Sequence, residues 1–280
     1  MRESPRKVLV SLQFEENGNG VQHSRLRECA DSKLGGGPVT AENDSNTQQI
    51  PQRGQQPVAT ALHTLILLFI LSVWAGWGLV ASNRMRASEH PHRVTMYLLT
   101  IFMEWGVVVF VYFGVRHRGG SIRNLIGGSW STPFEFLKDW GISILFWFVA
   151  LVVLSLTAHA LHIPSGGQNL RFMVPRSGAE IVLWIILSLT AGICEEIIFR
   201  GYLQRQLLGW LKSAPMAVAI SALAFGAGHI YQGVKSATVI GVFGLLFGIL
   251  AEWRKNLRPG MMAHAWHDAI SGVALGFIRK

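Results

Sequence analysis

Residues 192–204, GICEEIIFRGYLQ, put two adjacent acids and an arginine at the end of an almost wholly apolar run. What kind of chain this is depends on whether Glu195 and Glu196 lie in a protein core or at membrane depth. Half of the 280 residues are hydrophobic, 15% are charged, and mean hydropathy is +0.34. The apolar residues come in long blocks: VATALHTLILLFILSVWAGWGLVA from Val58, VTMYLLTIFMEWGVVVFVYFGV from Val94 and GISILFWFVALVVLSLTAHAL from Gly141. Each is long enough to cross a hydrocarbon layer of roughly 30 Å as a helix of about 20 residues. The acids therefore belong to a membrane protein, and a soluble helical bundle is set aside.

The second half reads differently. Its candidate spans, 181–199, 214–230, 236–253 and 261–278, are shorter, richer in Gly and Ala, and interrupted by polar side chains. Small residues suit close helix packing where lipid gives little drive for association. The expected fold is an all-α, polytopic transmembrane bundle of about seven spans. Six or eight are allowed, because a broken or protein-covered helix need not look like a lipid-facing one. Three regions follow: a polar, flexible tail over 1–57, N-terminal transmembrane helices over 58–178, and a membrane core over 179–280 that carries the functional residues. The tail contains NGNG, GGG and NDSNTQQIPQRGQQP, and only KVLVSLQF suggests a short strand. It is too long and polar for a signal peptide, so the block from Val58 is read as a retained first span.

The formal charge of +9 does not point to nucleic acid. Arginine and lysine cluster at span ends, as in SNRMR, VRHRGG and WRKNLR, and form no single basic stripe. Anionic lipid headgroups are the expected partner. Basic residues are in excess on the tail's side (Arg116, Arg118, Arg123, Lys138, Arg205, Lys212, Arg254, Lys255 and Arg258), which orients the N-terminus to the cytoplasm. An integral protein of a prokaryotic cytoplasmic membrane is expected. Two cysteines, Cys29 and Cys194, make no disulfide framework.

Ionisable groups at membrane depth are costly and mark function by default. Four places qualify: Glu104; the acid pair with Arg200; His229 in FGAGH; and HAWHD, which contains His264, His267 and Asp268. Glu196 and Arg200, four apart, share a helical face and can pair, leaving Glu195 to point elsewhere. His264 and Asp268 are also four apart, and Phe225, one turn before His229, can wall a dry pocket. A carboxylate in an apolar pocket can take a proton from water, while imidazoles hold that water, stabilise an oxyanion or ligate a metal. No serine nucleophile stands out, so water is the expected attacking group. Glu104 is expected to be a packing or snorkelling partner, His63, His159 and His162 to be interfacial or satisfied by backbone, and His267 to be a neighbour of the site.

One conflict is built into this reading. If the last spans simply alternate, His229 falls near the end of one and His264 near the start of another running the same way. Either a helix breaks around Gly226, Gly228 and Gly233, or the span boundaries are shifted.

Taken together, EEIIFR (an EExxxR motif), FGAGH (FxxxH) and HAWHD (His followed four residues later by Asn or Asp) resemble the CPBP intramembrane proteases, the group that contains the CAAX prenyl endopeptidases and bacterial Abi proteins. The resemblance covers roughly residues 180–278. It implies an endopeptidase acting on peptide or membrane-protein substrates, CAAX-type ones among them. By motif, Glu195 activates the hydrolytic water, His229 helps hold it, and His264 with Asp268 completes the site and the oxyanion stabilisation. Glu196 and Arg200 support it, and Asp268 replaces the commoner asparagine. The cofactor is left open: one zinc ion on Glu195, His229 and His264, as in a metalloendopeptidase, or none, since HExxH is absent. Two other classes remain, a transporter or proton pathway and a non-catalytic immunity or scaffold protein of the same fold.

Overall fold

The computed structural model describes residues 56–88, 91–163 and 170–277. All of the tail before Gln56, including the KVLVSLQF stretch and Cys29, lies outside the described residues. Within them the chain is helical, with no strand: α1 Ala61–Ala87, α2 Arg93–His117, α3 Ile122–Ile126, α4 Pro133–Ala160, α5 Gly178–Glu195, a π-helical segment Glu196–Gln204, α6 Arg205–Leu211, α7 Ala214–Gly228, a 3-10 turn Ile230–Gln232, α8 Val234–Arg254 and α9 Arg258–Phe277.

Local chemistry sets the starts of these helices. Thr60, Ser121, Thr132 and Ser177 stand at the N-caps, each side chain accepting a bond from the backbone N–H three residues on. Glu180 completes a reciprocal cap on α5, its Oε2 accepting from Arg176 N at 2.6 Å. Lys212 and Lys255 close α6 and α8 in the left-handed conformation.

Among the described residues five helices are long and apolar enough to cross a membrane: α1, α2, α4, the continuous rod Gly178–Leu211, and α8. Of the seven expected spans, the other two depart from that simple form. α7 is apolar but has only 15 residues, about 22 Å of helix. α9 has 20 residues and carries His264, His267 and Asp268.

The ends of these helices are tied together on the side where α1 begins. Buried Gln206 clamps Ala59 just before α1, its Oε1 accepting from Ala59 N at 2.9 Å and its Nε2 donating to Ala59 O at 3.0 Å. Leu257 N donates to Ile126 O at 2.8 Å, so the turn into α9 sits on α3. Buried Asp139 on α4 takes Arg254 at 3.2 Å, Arg258 at 3.0 Å and the Trp130 indole N–H at 3.0 Å. Removing one member of such a buried set leaves an uncompensated charge, which fixes where α9 starts relative to α4 and α8.

Both routes out of the depth conflict are taken. α7 stops at Gly228, and the chain turns through Ile230–Gln232 to Gly233, whose φ of 94° is open to glycine and strained for other residues. α9 begins at Arg258, three residues before the hydropathy boundary, so His264 lies nearly two turns inside it. The two histidines approach mid-depth from opposite ends of the bundle.

Candidate active site

Most of the stretch 192–204 is deeply covered. All nine residues of Glu196–Gln204 are buried, in a π-helical turn inside the rod Gly178–Leu211. π-turns are rare and occur often at functional sites. Here the segment sends polar side chains to the backbone of α8: Arg200 Nη2 donates to Gly244 O at 3.2 Å and Gln204 Nε2 to Gly248 O at 3.1 Å. Ser221 on α7 donates to Phe199 O at 2.9 Å. On its other side the rod meets α9 at Gly192, where a Cβ would come within 2.7 Å of Ala265 N and 2.8 Å of Met261 O. Glycine at 192 lets α9 lie close enough for His264 to reach the acids.

The two glutamates diverge as their spacing implies. Glu196 and Arg200 are almost wholly buried and form an ion pair at 3.0 Å. Arg200 also lies over the Phe225 ring, 4.4 Å from its centroid, with Phe247 at 5.7 Å. Glu195 is 17% exposed in its side chain and borders a cavity of about 1090 Å³. Its Oε1 stands 4.0 Å from His229 Nε2 and its Oε2 stands 3.5 Å from His264 Nε2. Asp268, with its side chain 34% exposed, brings Oδ2 to 3.6 Å from His264 Nε2. Glu195, His229, His264 and Asp268 thus meet around one cavity, and Phe225 walls it with its ring 4.8 Å from that of His229.

Hydrogen bonds fix which ring nitrogen faces the cavity. His229 Nδ1 is 2.9 Å from Phe225 O, which only accepts, so Nδ1 carries the proton and Nε2 faces Glu195. His264 Nδ1 is 3.0 Å from Glu196 Oε1, the oxygen that also pairs with Arg200. The chain Arg200, Glu196, His264 therefore orients the imidazole from behind. Asp268, one turn on from His264, sits on the opposite nitrogen. The contact between Glu196 and His264 spans 68 residues, so no local spacing signals it.

Three other residues occupy places that sequence reasoning weighed. Glu104 on α2, expected to be a packing or snorkelling partner, lines the same cavity as Glu195 and Asp268, with Oε2 buried and without a hydrogen-bond partner. His267 lines the same cavity as a neighbour, packed 5.2 Å from the Phe243 ring. His63 is satisfied away from the site, by Phe110 O at 3.0 Å and Tyr202 Oη at 2.7 Å.

The donor set only half suits a metal. Both histidines present Nε2 with an acceptor behind Nδ1, as metal-binding histidines do. Yet among the described residues no group of three or more His, Cys, Asp or Glu side chains converges closely enough to hold an ion.

Residues 176–270 match the family described as type II CAAX prenyl endopeptidase Rce1-like. The uncharacterized protein YpbD of Bacillus subtilis (strain 168) is 30% identical over 156 residues, which cover 51% of this chain and 76% of that protein. No solved structure matches significantly. The matched residues hold all three motifs and every side chain of the convergence except Glu104, and the chain belongs to the Rce1-like family of CAAX-type membrane proteases.

Proposed function

We propose that this chain is an intramembrane endopeptidase in which Glu195 activates a water for attack on a peptide carbonyl. One observation carries the reading: a partly exposed carboxylate stands between two oriented imidazole nitrogens at 4.0 and 3.5 Å, on a cavity large enough for a peptide segment. Separations of that size suit a bridging water better than a direct bond.

Glu195 takes one proton as the water oxygen bonds to the carbonyl carbon, and His229 Nε2 accepts a hydrogen bond from the O–H that remains. Negative charge then develops on the carbonyl oxygen. Protonated His264 donates to it from Nε2, while Glu196 and Asp268 stabilise the imidazolium. Asp268 cannot donate as an asparagine would, so its contribution passes through His264. Glu195 returns its proton to the departing nitrogen as the C–N bond breaks, and the remaining hydroxyl proton passes through His229 to the amine, leaving a new carboxylate and a new ammonium group.

Wild-type protein in liposomes should cleave a peptide library that includes prenylated C-terminal peptides at defined bonds, with bound metal measured in the same preparation. Cleavage at defined bonds supports the reading. Ion or solute flux without cleavage would favour a transporter, and stoichiometric zinc required for cleavage would replace unaided glutamate as the activator.

A further inference from the structure

Glu104 is an acid for which the mechanism has no use. It lies on α2, outside the matched family region, yet its side chain borders the same cavity as Glu195, His229, His264, His267 and Asp268. Three carboxylates, Glu104, Glu195 and Asp268, thus border one largely apolar space. Among the described residues no lysine or arginine lines that space. Arg200 is spent on Glu196 and the α8 backbone, behind the site. Two histidines are committed through Nδ1, His229 to Phe225 O and His264 to Glu196, while His267 packs on Phe243 with its own Nδ1 buried and without a hydrogen-bond partner. Glu104 Oε2 is left buried with no partner.

A buried carboxylate oxygen without a partner is costly, and a mutually repelling set is costlier. A ligand that brings a cation removes both penalties at once, whereas one that brings a carboxylate adds to them. We infer that Glu104 is a specificity-determining residue, which receives a cationic side chain of the substrate, lysine or arginine, close to the scissile bond. This rests on the protease reading and adds the substrate's charge to it. The same geometry discriminates against acidic residues at that position.

The test separates binding from cleavage. In the non-hydrolysing Glu195→Gln background in nanodiscs, the probes are fluorescent Leu/Ala peptides that differ only at one central residue: lysine, norleucine or glutamate. Affinity should fall in that order, with lysine favoured over norleucine by about tenfold or more, as expected for desolvated complementary charge. Adding Glu104→Gln, which keeps shape and hydrogen bonding and removes the charge, should bring lysine and norleucine to within about twofold of each other. Unfolding temperatures of both proteins are recorded. If the second variant is poorly folded, the order of the three peptides in the first decides. Equal binding of the lysine and norleucine peptides, binding of none of them, or a lysine preference that survives Glu104→Gln each overturns the inference. Cleavage by wild type is scored separately, so the protease reading can fail while the charge preference holds, or the reverse.

Discussion

In α1 only 11% of the most apolar stretch is buried within the protein, whereas in the rod Gly178–Leu211 the share is 50%. The first helix turns leucine, phenylalanine and tryptophan outward and needs little from its neighbours. At its buried centre the rod carries Glu195, Glu196 and Arg200, whose ion pairs and hydrogen bonds run to α8, α9, His229 at the end of α7 and the rod itself. Lipid-facing helices tolerate exchange among apolar residues. Helices that bury charge in a bilayer depend on particular partners, because neither lipid nor water is there to replace them. The difference predicts graded responses to substitution.

The largest loss of stability should come from Arg200→Ala, which leaves Glu196 uncompensated and strips the cation from the Phe225 ring. Breaking a buried pair costs about 3–5 kcal/mol. Folded yield in detergent should fall sharply, and a wild-type unfolding temperature would mean that the pair is not structural.

Close packing gives the next step, and a direct comparison of the two regions. Gly192→Ala puts a methyl group against backbone atoms of α9 at 2.7 and 2.8 Å, and overpacking of this kind costs about 1–3 kcal/mol. It also pushes His264 off Glu195. Gly76→Ala on α1 meets nothing within 4 Å and should be neutral. Thermal unfolding of the two variants side by side should separate them, and equal effects would erase the distinction between the regions.

The smallest effect is expected from His267→Ala. The ring borders the cavity but makes no polar contact with Glu195, so hydrolysis should change by less than about tenfold. A loss as severe as that of His264→Ala would make His267 a member of the site.

What the sequence revealed follows the range of each interaction. Glu196 and Arg200 were legible as a pair because four residues on a helix bring side chains together, and this survives the π-turn. The long apolar blocks gave α1, α2 and α4 because bilayer thickness sets their length. The π-turn itself was hidden, since EIIFRGYLQ has the same residues whichever backbone it adopts. The bond from Glu196 to His264 and the place of Glu104 were hidden for another reason. Both depend on which faces of separate helices turn toward each other, and α2 is apolar almost all the way round.

The most direct test of the central claim is hydrolysis of one peptide, cleaved by wild type in liposomes, by the Glu195→Gln protein. The substitution keeps the shape of the side chain and its place between His229 and His264 while removing the proton-accepting carboxylate. The account predicts an unchanged unfolding temperature and a rate at least about 10²-fold lower. A folded Glu195→Gln protein that cleaves at the wild-type rate would contradict it.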